Sequence, residues 1–418
     1  MKVFSMKVFS TLIILMSVII SFHSHSYADT LPFLTGKEAG MDESQLRHIE
    51  LAVGKHVDEK ELAGAVTLVL RKGGIVHMEA HGWKDLASRT PMTTDTIFRI
   101  FSMTKPVVST GVMMLVEEGK IELDAPVETY LPQMKGLKVL ENGERITPNR
   151  APTVRDLLRH TAGLTYGFFG DSAVDKLYVK TGILANSNDT ATFLQKLGSL
   201  PLAYQPGEKW VYSISVDVQG ALIEEVSGQS LDRFLKEKIL EPLGMHDTGF
   251  HVPGEKRNRF ASLYAKGQIA MENNEESDYR FPPRFYSGGG GMVSTALDYA
   301  KFLQMLINGG ELSGVRLLKE ETVQNMTRNH LEGPAFPIGI NDTRDGFGFG
   351  LGFNIVTAKS DYDKDARVGE YGWGGMASTH FWVSPEDELA VITMEQTIPY
   401  TWNLERSIKG LVYEAIIE

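Results

Sequence analysis

One pair of side chains in this sequence has the spacing of a nucleophile and its base. Ser102 and Lys105 form the chain's single Ser-x-x-Lys, and a long apolar segment follows them. Residues three apart in a helix are neighbours, so a helix starting at Ser102 would let the amine take the serine proton. The alternative is that Ser102 simply caps a buried helix, a common position for serine. A tetrapeptide match is a hypothesis that other segments must support.

The segment after this pair favours the catalytic interpretation. Pro106 has no N–H group to donate a hydrogen bond to the carbonyl of residue 102. The regular helix therefore begins just beyond the motif, with its positive dipole end at Ser102. Residues 107–116 are mostly apolar and leave little polar face, which predicts a helix buried on all sides. A buried amine loses its proton more readily than one in water, and it can then act as a base.

Tyr212 is a candidate for moving the proton onward. It stands just before a predicted helix over 216–226, where a tyrosine could equally serve only for packing. A neighbouring ammonium favours the phenolate form of tyrosine, and a phenolate could pass the serine proton to the leaving group.

Trp373, Gly374 and Gly375 lie at the edge of a predicted strand. Paired glycines let a substrate approach the backbone closely, and one N–H from this strand could join that of Ser102 in an oxyanion hole. A β-bulge without a catalytic role would show the same pattern.

Other motifs point away from metal, nucleotide and triad chemistry. The four glycines at 288–291 lack the Lys-Ser/Thr of a phosphate loop and predict either a flexible connector or tight packing. The eleven histidines show no metal-ligand spacing, and we expect neither a metal nor a cofactor. His160 is interpreted as a structural histidine in a hydrogen-bonded network. The absence of Gly-x-Ser-x-Gly from the sequence argues against an α/β-hydrolase triad.

The predicted elements describe one antiparallel sheet with helices at both ends of the chain. Strands are predicted at 65–70, 75–79, 350–356, 378–383 and 389–394, and helices at 42–58, 295–309 and 402–416. The fold class is therefore α+β, with an antiparallel sheet of five or more strands flanked by helices and a mostly helical inserted domain. We assign residues 29–120 and 285–418 to the sheet domain and 121–284 to the helical domain.

Residues 1–28 have the pattern of a secretory signal peptide. Lys2 and Lys7 precede an apolar run too short to span a bilayer, and Ser-Tyr-Ala at 26–28 offers a cleavage site. The 418-residue chain has no cysteine, so neither disulfides nor lipid attachment through cysteine is expected. Removing the signal, with its two lysines and no acid, takes the formal net charge from −11 to −13, which disfavours nucleic acid as a partner. We expect a periplasmic or secreted monomer without a membrane anchor.

Five segments, in order along the chain, resemble the serine β-lactamase and penicillin-binding protein superfamily, and within it the class C-like carboxylesterases called family VIII. They are 98–106, 153–164, 241–250, 290–294 and 372–375, and the likeness covers essentially the whole mature chain. The resemblance implies that Ser102 is the nucleophile, Lys105 its partner and Tyr212 the first residue of a Tyr-x-Asn element. It also implies that Trp373, Gly374 and Gly375 occupy the place of Lys-Thr-Gly, with Met376 supplying the second oxyanion N–H.

Two positions depart from the lactamase pattern. Ile214 replaces the asparagine that helps to hold a substrate amide, and Trp373 replaces the lysine that helps to attract a substrate carboxylate. Losing both groups weakens the binding of a β-lactam or peptide carboxylate, whereas neutral esters lose nothing. We therefore expect an exported serine carboxylesterase that cleaves small neutral esters through a Ser102 acyl-enzyme. The alternatives are a class C-like β-lactamase or D-alanyl-D-alanine peptidase and, third, a non-catalytic binding protein of the same fold.

Cleavage after Ala28 would make Asp29 the first residue of the exported protein, because small residues occupy the two positions that a signal peptidase reads. The intact mass of the exported protein should match residues 29–418. A complete N-terminus recovered in the membrane fraction would show instead that the apolar run is an anchor.

Overall fold

An eight-stranded antiparallel sheet is the central element of the structure. The computed structural model describes residues 31–273, 276–340 and 342–417. The strands are β1 (Gly64–Arg71), β2 (Gly74–Asp85), β3 (Thr90–Pro91), β4 (Phe347–Phe349), β5 (Asn354–Val356), β6 (Tyr371–Gly375), β7 (Thr379–Ser384) and β8 (Leu389–Glu395). Their order is β4-β5-β6-β7-β8-β1-β2-β3, with antiparallel neighbours throughout. The predicted α+β fold with an antiparallel sheet of five or more strands is confirmed.

Strand β1 shows why the sheet lies in the middle of the molecule. Its residues are all buried, and alternate side chains of a strand point to opposite faces. Val66, Leu68 and Leu70 belong to the larger hydrophobic cluster, whereas Ala65 and Val69 belong to a smaller one on the other face. A continuous apolar run of this kind is typical of a strand covered on both sides.

Helices cover the two faces. They are α1 (Gly36–Ala39), α2 (Glu43–Asp58), α3 (Thr104–Glu117), α4 (Val154–Leu158), α5 (Ala173–Thr181), α6 (Thr190–Ser199), α7 (Ser215–Ser227), α8 (Leu231–Leu235), α9 (Ala296–Ile307), α10 (Glu320–Met326) and α11 (Asn403–Glu414). Helices α2 and α11 pack together on the smaller cluster, whereas α3, α7 and α9 contribute to the larger one. The predicted helices at 42–58, 295–309 and 402–416 are confirmed as α2, α9 and α11.

The α-helix begins within the Ser102–Lys105 motif, earlier than the position just beyond the motif that the sequence predicts. A 3-10 turn spans Phe101–Met103, and the α-helix begins at Thr104. Pro106 cannot donate to the carbonyl of residue 102, so the first turn closes with shorter-range bonds instead. Residues 104–113 are all buried, which confirms the predicted helix without a polar face.

The single strand predicted over 350–356 is wrong. Strand β4 ends at Phe349 and β5 begins at Asn354, because the chain turns between them. Gly352 has a φ of 105°, and a Cβ there would lie 2.7 Å from the Cβ of Ser109. The turn is therefore packed directly on α3, in a backbone conformation that residues with side chains rarely adopt.

Residues 121–284 contain helices α4 to α8 and two small hairpins, Val139–Glu141 with Glu144–Ile146 and Leu263–Ala265 with Ile269–Glu272. The division into a sheet domain and a helical domain stays a prediction. The predicted signal peptide lies outside the described residues. Within the described ranges, the helices are too short or too polar to cross a membrane.

Candidate active site

The turn that carries Ser102 is held by neighbouring segments. The N–H of Ile100 donates to the carbonyl of Met292 at 3.1 Å, and the Tyr299 hydroxyl donates to the carbonyl of Met103 at 2.9 Å. Phe101 has a φ of 39°, in the left-handed region that is unfavourable for a residue with a large side chain. Such strain persists where surrounding contacts enforce it, and it is common beside functional residues.

Lys105 lies directly beneath Ser102. Its residue is 1% exposed, and its Nζ lies 3.0 Å from Ser102 Oγ and donates to the carbonyl oxygen of Gly289 at 2.6 Å. The faces of Tyr166 and Tyr212 are also close, with 5.3 and 4.6 Å from Nζ to the ring centroids. The structure thus brings the predicted nucleophile and its predicted base into contact, at the start of a buried and mostly apolar helix.

Tyr212 lies between Lys105 and Trp373. Its ring faces Lys105, and its hydroxyl accepts a hydrogen bond from Nε1 of Trp373 at 3.3 Å. That bond, rather than one to Ser102 or Lys105, orients the phenol in this structure. Hydrogen bonds of catalytic groups are often longer or differently aligned before substrate binds.

His160 packs against the ring of Tyr212. Its Nδ1 lies 3.1 Å from the Ser213 hydroxyl, and its ring centroid is 5.1 Å from that of Tyr212. Burial, and then the charge of Lys105, hold the pKa of His160 well below its usual value, which favours the neutral ring. This environment agrees with a structural role for His160.

The end of β6 passes close to the Ser102 turn because its last two residues, Gly374 and Gly375, have no side chains. A Cβ at Gly375 would lie 2.3 Å from the carbonyl oxygen of Ile100, and one at Gly374 would lie 2.7 Å from the Tyr400 hydroxyl oxygen. Side chains at either position would push the strand away from the nucleophile. Met376, which follows directly, is half exposed.

Ser102, Tyr212, Trp373, Gly374, Gly375 and Met376 line one cavity of about 890 Å³. Much of the remaining wall is aromatic, and these side chains include Phe168, Phe169, Phe250, Phe281 and Phe285. Ile214 is fully buried and does not line this cavity. Among the described residues, no group of acidic or histidine side chains is arranged to hold a metal ion.

Comparisons with known proteins identify the family of this chain. The family model of the β-lactamases matches residues 49–400. The chain belongs to the β-lactamase family.

Esterase EstB of Burkholderia gladioli is 31% identical over 360 residues, which cover 81% of this chain and 87% of EstB. A Salmonella typhimurium protein provisionally named D-alanyl-D-alanine carboxypeptidase is 26% identical over 418 residues, covering 90% and 89% of the two chains. The solved structure of EstCE1, described as a hydrolase with promiscuous acyltransferase activity, has a TM-score of 0.75 and 25% identity over 89% of this chain and 99% of EstCE1. This β-lactamase family member is a serine hydrolase related to esterases.

Asp217, a buried carboxylate near the serine–lysine pair, was not predicted from the sequence. Asp217 is 1% exposed, and its Oδ1 accepts from the Ser287 hydroxyl at 2.5 Å and from the Gly289 N–H at 3.1 Å. The carbonyl of the same Gly289 accepts from Lys105, so Asp217 holds the peptide that holds the amine. Burial raises the pKa of the Asp217 carboxyl, while the Ser287 hydrogen bond and the Lys105 charge act in the opposite direction.

The available signal for Asp217 was an acidic residue between two valines, in the part of α7 that precedes its exposed glutamates. The four glycines at 288–291 were a second signal. The sequence left a flexible connector or tight packing as the alternatives, and the structure shows tight packing. A Cβ at Gly288 would lie 2.4 Å from the carbonyl oxygen of Val216, and one at Gly289 would lie 2.4 Å from Oδ2 of Asp217.

Asp217→Asn should lower the plateau of kcat/KM by roughly fivefold, because a neutral acceptor holds the Gly289 N–H about 1 kcal/mol less tightly than a charged one. It should also move the acid limb of the pH profile to lower pH. A carboxylate stabilises the charged form of a nearby amine, so its removal favours the neutral base. The measurement is kcat/KM for a chromogenic ester as a function of pH.

Asp298→Asn is the matched control, because Asp298 is also a buried helical carboxylate but accepts from the Asp247 N–H and Thr248, away from the cavity. Its pH profile should equal that of the wild type. A lowered plateau with an unmoved acid limb in Asp217→Asn would mean that Asp217 shapes the loop without acting on the charge of Lys105.

Proposed function

We propose that this protein is a carboxylesterase that forms an acyl-enzyme on Ser102. The observation that carries the proposal is the 3.0 Å separation of Ser102 Oγ and Lys105 Nζ at the base of a largely aromatic cavity. A neutral amine can donate to the Gly289 carbonyl and still offer its lone pair to the serine proton. A serine activated by an adjacent base is the arrangement that acyl transfer requires.

In acylation, Ser102 Oγ attacks the ester carbonyl carbon as its proton passes to Lys105. The N–H groups of Ser102 and Met376 receive the oxyanion, at the glycine-rich end of β6. When the C–O bond breaks, Tyr212 conveys the proton to the departing alcohol. Water then attacks the acyl-enzyme, and the same groups act in reverse to release the carboxylic acid.

The substrate class follows from Trp373 and Ile214. Trp373 places an indole, hydrogen-bonded to Tyr212, where a lactamase-like enzyme needs a cation, and Ile214 is buried outside the cavity wall. The aromatic wall is suited to apolar acyl or alcohol groups, so we propose small neutral esters as substrates. The identity to EstB supports an esterase. The Salmonella relative keeps D-alanyl-D-alanine peptidase activity as an alternative, and the family match keeps β-lactamase activity as another.

We also propose that the protein is exported and acts in the periplasm or the medium. The pattern of residues 1–28 supports this location.

A fluorophosphonate should label Ser102, and Ser102→Ala should lose both the label and ester turnover while keeping its fold. Lys105→Ala and Tyr212→Phe should each lower kcat by roughly 10²–10⁴-fold, the usual range for lost acid–base catalysis. Lys120→Ala is the matched control, because Lys120 is exposed beyond the end of α3. Peptide mapping, steady-state kinetics and circular dichroism are the measurements, and full activity in Ser102→Ala would refute the mechanism.

Short-chain aryl esters should be turned over much faster than penicillins or cephalosporins. Both substrate types need the serine, the base and the oxyanion hole, but the lactam also needs polar groups that positions 214 and 373 do not provide. Each lost charge-assisted hydrogen bond is worth about 1.5–3 kcal/mol, so the ester should be favoured by roughly 10²–10⁴-fold in kcat/KM. The test compares p-nitrophenyl butyrate with a chromogenic cephalosporin on one preparation, and a ratio favouring the lactam would support the β-lactamase alternative.

A further inference from the structure

Arg344 is a buried cation in the wall of the active-site cavity. It lies on the segment before β4, where its backbone N–H donates to the carbonyl of Ile338 at 2.9 Å. The residue is 6% exposed, and its guanidinium carbon lies 5.4 and 5.6 Å from the ring centroids of Trp402 and Tyr362. Arg344 and Trp402 line the same cavity as Ser102.

Among the described residues, the guanidinium is stabilised by the two rings and one more distant carboxylate, without a hydrogen bond. Its Nε has no hydrogen-bond partner among the described residues, and no hydrogen bond to its terminal nitrogens is present there either. The nearest carboxylate oxygen, on Asp342, is 3.8 Å from Nε, too far for a hydrogen bond. A buried arginine normally satisfies most of its five N–H groups. Nε is fully buried, whereas the terminal nitrogens are not, so the terminal nitrogens are the donors that a ligand can reach.

The position of Arg344 places these donors near the reaction centre. The Trp402 ring, which the guanidinium contacts, lies 5.1 Å from the Tyr400 ring, measured between centroids. The Tyr400 hydroxyl in turn lies against Gly374, on the strand that borders Ser102. Charged side chains among the described lining residues are Asp278, Asp342 and Arg344, which leaves Arg344 as the cation of the wall.

We propose that Arg344 binds a carboxylate of the substrate. The planar fork of a guanidinium matches a carboxylate with two parallel hydrogen bonds, and the flanking rings hold the fork in place. The substrate class is an ester that carries a free carboxylate away from its scissile bond, such as a dicarboxylic acid monoester or an ester of a hydroxy acid. This inference rests on the proposed esterase activity and adds a class of substrates to the neutral esters.

Two matched pairs of esters test the proposal on the wild-type protein. Mono-4-nitrophenyl adipate is compared with 4-nitrophenyl hexanoate for a carboxylate on the acyl side. For the alcohol side, 4-carboxyphenyl butyrate is compared with 4-carbamoylphenyl butyrate, whose leaving group is similar. In at least one pair, kcat/KM should favour the carboxylated ester by roughly tenfold or more, mainly through a lower KM.

Three variants assign that preference to its cause. Arg344→Gln should bring the ratio within the favoured pair to about one, whereas Asp342→Asn should increase it, because a competing carboxylate is removed. Arg406→Gln is the matched control. Arg406 contacts the same Tyr362 ring, at 5.3 Å, but does not line the large cavity, and its ratio should equal that of the wild type.

A wild-type ratio of one or less in both pairs, or a preference that survives Arg344→Gln, would overturn the carboxylate site. If Arg344→Gln does not fold, a wild-type ratio of one or less still overturns the proposal. Arg344→Lys, which keeps the charge but loses the planar fork, should then show a smaller preference than the wild type. Turnover of the uncharged esters reports separately on the proposed function. If they are cleaved without any preference, only the Arg344 proposal fails, whereas no cleavage of any ester would contradict the esterase itself.

Discussion

The amine of Lys105 is buried between two oxygen atoms, Ser102 Oγ and the carbonyl of Gly289, and the surrounding elements are arranged to permit this. An amine removed from water is unfavourable unless its hydrogen-bonding capacity is satisfied. The carbonyl of Gly289 accepts a hydrogen bond from the amine. Asp217 holds the Gly289 peptide in place by accepting a hydrogen bond from its N–H group. The glycines at 288 and 289 are needed because a Cβ at either would collide with α7.

The sheet contributes through the end of β6. Gly375 lets the strand lie against the carbonyl of Ile100, which brings the backbone after the strand beside the Ser102 turn. Trp373, on the same strand, donates to the Tyr212 hydroxyl and so connects the sheet to the helical segment. Where the family resemblance implies a lysine, Trp373 offers no second cation from β6 and instead gives the tyrosine a hydrogen-bond donor. Arg344 provides a cation from a different segment of the wall.

The sequence was informative where chemistry and local pattern coincide. The spacing of Ser102 and Lys105 and the apolar residues after them predicted both the pair and the buried helix. The strand predicted over 350–356 was wrong because hydrophobicity does not reveal that Gly352 packs against Ser109, far away in the chain. Asp217 and Arg344 were missed for a related reason. Their significance depends on partners 72 residues away in one case and on a cavity wall in the other, and no local pattern encodes such contacts.

The rate of acyl-enzyme formation tests the role of Lys105 most directly. The wild type and Lys105→Met would each be mixed rapidly with p-nitrophenyl butyrate, and the burst of nitrophenolate would be recorded. Samples quenched with acid would be analysed by intact mass spectrometry. We expect one butyryl group per wild-type molecule, mapped to Ser102, and acylation slower by roughly 10²–10⁴-fold in Lys105→Met with similar substrate affinity. Equal acylation rates in the two proteins would show that Lys105 is not the base, and a butyryl group on another residue would show that Ser102 is not the nucleophile.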